Sequence, residues 1–101
     1  MAKSIRGENG KAIEISLYEG QPYLWITTNS TGWSVTMPAA TFASGVRSGE
    51  FQGTSDKGAP RRLTILIQGP STNLRIHHPT SGSGVGLTVD SESFAKAIAE
   101  L

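Results

Sequence analysis

Three large aromatic residues stand at alternating positions in two neighbouring segments, where they could stack on a flat ligand. Tyr18 closes the first segment, and Tyr23 and Trp25 alternate with apolar residues in the second. Because successive side chains of a β-strand point to opposite faces, this spacing puts the rings on the face away from the core. Exposed rings of this kind bind unpaired nucleic-acid bases by stacking.

Basic and hydroxyl residues complete this predicted face. Arg75 and His77 occupy the positions in a later segment that Trp25 and Thr27 occupy in the earlier one. Further cations stand where the first strands begin, and Arg and Lys at such places can hold phosphates. We therefore predict a nucleic-acid-binding site made of Tyr18, Tyr23, Trp25, Thr27, Lys11, Arg61, Arg62, Arg75 and His77.

No residue pattern in the sequence predicts catalysis or metal binding. His77 and His78 are adjacent, so on a strand they point to opposite faces and cannot easily chelate one ion. The glycine-rich run at residues 82–86 lacks the Gly-Lys-Ser/Thr of a P-loop and leads into a strand. No serine has the setting of a nucleophile. We expect a protein that is not an enzyme and has no catalytic residues, metal or cofactor.

Composition predicts one small globular domain in the cytoplasm. The chain has 101 residues, nine Lys and Arg against eight Asp and Glu, and a net charge of +1. That balance neither demands nor excludes a nucleic-acid partner. Cysteine is absent, which excludes disulfides and thiolate metal sites. The apolar runs are too short to span a membrane.

The apolar pattern predicts an internal repeat. Alternating apolar residues at 13–17, 24–26 and 33–37 match those at 63–67, 74–76 and 85–89 in the same order. Each set leads into a stretch with helical spacing, at 38–46 and 90–98, and Asp90 is a favourable N-cap for the second. We predict an α+β domain of two βββα repeats, an intramolecular dimer with pseudo-twofold symmetry, antiparallel sheets and helices on one face.

The predicted boundaries follow from the turn residues. Repeat 1 covers about residues 11–49 and repeat 2 about residues 61–101, and a linker rich in Gly and Pro covers residues 50–60. The polar start, residues 1–4, is expected to be frayed.

Two stretches resemble a known family. They are Ile-Ser-Leu-Tyr-Glu-Gly-Gln-Pro-Tyr-Leu-Trp-Ile at residues 15–26 and Gly-Leu-Thr-Val-Asp-Ser-Glu-Ser-Phe at residues 86–94. The pattern is similar to single-stranded-DNA-binding transcriptional coactivators of the positive cofactor 4 type. The resemblance implies a paired unit whose strands form a curved surface for single-stranded DNA, with both units in one chain as in the related whirly proteins. That family carries more Lys and Arg in its strands.

These observations favour a sequence-nonspecific single-stranded DNA-binding protein of a bacterium or phage, acting in replication, recombination or transcription. RNA is an alternative ligand. The near-neutral charge and exposed aromatics also suit a protein-interaction module, such as a small viral inhibitor of a host protein. A third hypothesis makes the same face a contact between copies of the chain.

Overall fold

The computed structural model describes residues 3–101, which form eight strands, a short 3₁₀ turn and one α-helix. The strands are β1 (Lys3–Arg6), β2 (Ala12–Tyr18), β3 (Gln21–Thr27), β4 (Gly32–Thr36), β5 (Gly49–Thr54), β6 (Pro60–Gln68), β7 (Ser71–His77) and β8 (Gly84–Asp90). The 3₁₀ turn, Ala39–Phe42, follows β4, and helix α1, Ser91–Ala99, follows β8.

The strands form a single antiparallel sheet in chain order, and this sheet curls round on itself. Neighbouring strands pair over long ladders except at the centre, where β4 and β5 share the single pair Thr36–Thr54. At the far edge, the β1–β2 turn meets β8: a Cβ on Gly7 would lie 2.8 Å from Leu87 Cδ1. The inner faces of both halves therefore enclose one core.

The core follows from strict alternation along the strands. The inward side chains are almost completely buried: Ile13, Ile15, Leu24, Ile26, Val35, Met37, Leu63, Ile65, Leu74, Ile76, Val85, Leu87 and Val89. This confirms most of the predicted buried positions. The exceptions lie towards the strand ends, where Leu17 and Ile67 are exposed and Trp33 is half-buried.

Helix α1 packs against this core through one stripe. Phe94, Ala97 and Ile98 are buried, at the i, i+3 and i+4 spacing of a helical face. The Asp90 carboxylate accepts a hydrogen bond from the Ser93 amide at 2.9 Å, which confirms Asp90 as the N-cap. Within residues 3–101, no helix has the length and apolar composition that a membrane span requires.

The predicted fold of two βββα repeats is wrong. All eight strands described belong to one continuous sheet, and one α-helix accompanies them rather than two. The stretch at 38–46 forms only four residues of 3₁₀ turn, and Gly45 then turns the backbone to a φ of +92°. A residue in that conformation cannot continue a right-handed helix.

Two strands lie where the sequence analysis placed none. Strand β5 occupies residues assigned to the linker, and it presents only Phe51 and Gly53 to the core. Strand β1 begins at Lys3, within the start expected to be frayed, and packs through Ile5. Met1 and Ala2 lie outside the described residues. Short polar strands with one apolar side chain carry too little alternation to be recognised.

The short 3₁₀ turn leaves an apolar groove beside α1. The groove measures about 500 Å³ and is lined mainly by apolar side chains, including Leu17, Phe42, Val46, Ile98 and Leu101.

We expect Phe94→Ala to cost about 3–5 kcal/mol of unfolding free energy, since it removes a buried ring from the centre of the core. Urea denaturation followed by circular dichroism measures this. Tyr18→Ala is the control, since that ring is 59 % exposed and its loss should change stability little. Equal losses in the two variants would contradict the assignment of Phe94 to the core.

Hydrogen bonds from the Ser93 amide and hydroxyl hold the pKa of Asp90 below its usual value. A carboxylate with a lowered folded pKa stabilises the fold at neutral pH, and this contribution is lost as the pH falls below about 3.9 and through the folded pKa. Asp90→Asn should therefore flatten the acid side of a curve of melting temperature against pH. An unchanged acid side would show that the cap does not contribute.

Candidate nucleic-acid interface

Tyr18, Tyr23 and Trp25 lie together on the outer face of β2 and β3, and we call them the aromatic strip. Tyr18 and Trp25 are 59 % and 39 % exposed, and Tyr23 is half-buried between them. The Tyr18 and Tyr23 rings are 6.5 Å apart between centroids, tilted by 50°. Tyr23 and Trp25 are two residues apart on one strand, about 6.8 Å. The three rings therefore offer successive apolar surfaces along one line.

Gly32 makes room for the Trp25 ring. These two residues lie on adjacent strands, and a Cβ on Gly32 would stand 2.5 Å from the indole nitrogen Nε1. The absence of a side chain lets the indole lean across β4 rather than stand out into solvent. This support restricts the ring, so less conformational entropy is lost when a ligand stacks on it.

Small polar residues surround the strip. Tyr23 pairs with Ser16 and Thr36 across the neighbouring strands, and Trp25 pairs with Glu14 and Ser34. Hydroxyl groups can donate to phosphate or sugar oxygens without covering the rings. Glu14 is the acidic exception.

One cation shares this face of β1–β4. Arg6 is exposed and stands in the same cross-strand row as Ala12 and Thr27. This row is next to the row that contains Trp25. The Ala12 side chain is too small to separate the Arg6 guanidinium from a ligand on the Trp25 ring. The Thr27 hydroxyl lies 3.5 Å from the Ala12 carbonyl. Arg6 is therefore the guanidinium best placed to meet a charged group beside the Trp25 ring.

A cleft opens at the tyrosine end of the strip. It measures about 370 Å³, and its walls include Tyr18, Tyr23, Gln21, Thr36, Thr54 and Asp56. The β5–β6 turn that carries Asp56 is fixed by Ser55, whose Oγ accepts from the Lys57 and Ala59 amides at 3.2 and 3.1 Å. The cleft therefore combines aromatic walls with a carboxylate and an amide.

Lys11 and Arg61, predicted to hold phosphates, bind groups of the protein itself. Lys11 Nζ donates to the Gly86 carbonyl at 2.8 Å, where it joins the β1–β2 turn to β8. Arg61 donates to the Pro60 carbonyl at 2.8 Å and lies 4.9 Å above the Trp33 ring. Arg61 pairs with Gly53 of β5, whereas Arg62 pairs with His77 of β7. The two arginines are adjacent on the strand, so they face opposite sides of β6.

The remaining predicted residues lie on the other half of the sheet. Arg75 donates to the Gly82 carbonyl of the β7–β8 turn, and His77 Nε2 is 3.0 Å from the Thr64 hydroxyl. Arg62 pairs with His77 across β6 and β7. Strands β3 and β7 are four apart in a sheet that curls round on itself, so Trp25 and Arg75 do not share one flat face. The site separates into an aromatic half and a basic half.

The sequence predicts the aromatic strip but not the positions of Arg6, Gln21 and Asp56. The outward position of Arg6 depends on its pairing with β2, since only Ile5 in that segment is apolar. Asp56 lines the same cleft as the tyrosines because β5 and β6 form a hairpin beside β4. A turn residue carries no periodic signal, so no local pattern could have placed it there.

Comparison of this chain with protein-family models, with curated proteins and with solved structures finds no match in any of the three.

Proposed function

We propose that this protein binds single-stranded DNA, and that unpaired bases stack on the aromatic strip. The observation that carries the proposal is the alignment of three accessible rings on one outer face, with hydroxyl groups and Arg6 beside them. Alternate residues of β3 are about 6.8 Å apart along the backbone, which is twice the 3.4 Å rise of stacked DNA. An extended single strand can therefore place one base on each ring, whereas a duplex hides its base faces.

The charges around the strip favour binding by stacking over binding by phosphate attraction. Arg6 lies near the rings, whereas Lys11, Arg61 and Arg75 donate to backbone carbonyls. Base stacking on an aromatic side chain contributes about 1–3 kcal/mol per base and tolerates every base. The proposed binding along the strip is therefore sequence-nonspecific and depends only weakly on salt.

The proposed binding also indicates the compartment in which the protein acts. Such binding suits the cytoplasm of a bacterium or a phage-infected cell, where replication, recombination and transcription expose single strands. Unpaired RNA offers the same base surfaces, so a matched RNA oligonucleotide belongs in the same titration.

We expect Trp25→Ala to weaken the binding of a fluorescein-labelled oligo-dT about tenfold, since it removes one stacking surface. Fluorescence anisotropy at low salt measures this, and Tyr23→Ala should act similarly. The matched control is Leu66→Ala, because Leu66 is also exposed, at 46 %, and lies on the other half of the sheet. If the wild-type protein does not bind oligo-dT, the proposed function is wrong.

The salt dependence identifies the cation that meets the phosphates. Each neutralised phosphate of a single strand adds about −0.7 to the slope of log K against log salt. Arg6→Ala should therefore make the slope less negative by about 0.7, whereas Arg75→Ala should leave it unchanged. The opposite ranking would move the phosphate contacts to β6–β8.

A protein-interaction module is the second candidate, and Glu14 is the observation that favours it. The Glu14 side chain lies directly across from Trp25, where its carboxylate would repel a phosphate but could meet a basic side chain. Under this hypothesis oligo-dT does not bind, and a nuclease-treated host lysate yields a partner that Trp25→Ala loses and Leu66→Ala keeps.

A further inference from the structure

The cleft at the tyrosine end of the strip differs from the rest of the face in its hydrogen-bonding groups. Along β2–β4 the polar neighbours of the rings are mostly hydroxyls, which both donate and accept. In the cleft, Asp56 supplies a carboxylate, which only accepts, and Gln21 supplies an amide. A group that only accepts distinguishes bases by their donors, whereas stacking does not.

Main-chain hydrogen bonds fix the turn that carries Asp56. The Gly58 amide donates to the Ser55 carbonyl at 3.0 Å, and the Ser55 amide donates to the Ala59 carbonyl at 2.8 Å. Ser55 itself is buried, with 9 % exposure. Within residues 3–101 the one ion pair is Lys3–Glu100, so no basic side chain of this part neutralises Asp56. Asp56 is exposed and lines the cleft beside Tyr18 and Tyr23, so its carboxylate is accessible to a ligand.

We propose that this cleft binds a guanine base, an inference that rests on the proposed binding of single strands. Guanine presents two neighbouring donors, N1–H and the N2 amino group, which together match the two oxygens of a carboxylate as an arginine fork does. The Gln21 amide can donate to guanine O6, and Tyr18 or Tyr23 can stack on the ring. The protein thus holds one guanine at the end of a strand that it otherwise binds without preference.

The same chemistry disfavours the other bases. Adenine and cytosine each present an acceptor nitrogen beside a single amino group, and that acceptor would face the Asp56 carboxylate. Thymine presents one donor between two carbonyl oxygens. Only guanine satisfies both carboxylate oxygens without bringing an acceptor against them.

The test compares oligo-dT strands that carry a single terminal guanine, inosine or adenine. Inosine keeps N1–H and lacks the N2 amino group. We expect the guanine strand to bind wild-type protein at least about fivefold more tightly than the other two, the lower end for a bidentate base contact. Asp56→Asn should remove this difference and keep oligo-dT binding, and Glu92→Gln, an exposed acid on α1, should keep both.

Each outcome separates this inference from the proposed function. Equal binding of the three strands, with oligo-dT bound, overturns the guanine site and leaves strand binding intact. If wild-type protein does not bind oligo-dT, the proposed binding of single strands is wrong. GMP is then the second probe: if GMP still binds wild type and not Asp56→Asn, the ligand is a free guanine nucleotide, and if GMP does not bind either, both proposals are wrong.

Discussion

Burial of one apolar face by a single short chain is the constraint on which this structure depends. A sheet with thirteen buried inward side chains cannot leave that face in water, and a helix of nine residues is too small to cover it. The sheet covers itself by curling, and Phe94 from α1 is buried among its inward side chains. At about 25 cal/mol per Å² of apolar surface removed from water, this shared core is the main stabilising term.

Curling also decides what the outer surface can do. The side chains that point away from the core diverge around the molecule, so residues at matching positions of β3 and β7 face different directions. The two halves have different outer surfaces: aromatic and hydroxyl residues on β2–β4, and a hydrogen-bonded set of polar side chains on β6–β8. Asn73, for example, accepts from Thr88 at 2.5 Å and donates to Gln68 at 3.0 Å. A ligand that binds by stacking on aromatic rings therefore binds to the half formed by β2–β4.

The sequence predicted those parts of the structure that depend on local periodicity. Alternation identified six strands and their buried residues, and it placed the aromatic strip outside, because a period of two is visible within each strand. The capping role of Asp90 was likewise a local signal. The number of sheets was not predictable in this way, since it depends on the pairing of β4 with β5 and on the approach of Gly7 to Leu87, which are distant in sequence. Whether Trp25 and Arg75 lie on one face depends on the same long-range contacts.

The edge of β8 shows how the sheet ends without a further strand. The Thr88 amide donates to the Glu8 carboxylate at 2.9 Å, and the Gly86 carbonyl accepts from Lys11, so two side chains of opposite charge occupy main-chain groups at this edge. An uncovered edge invites pairing with another chain and is a common start of aggregation. Here the β1–β2 turn covers part of that edge. A strand of another chain could pair with Gly86 and Thr88 only after displacing Lys11 and Glu8.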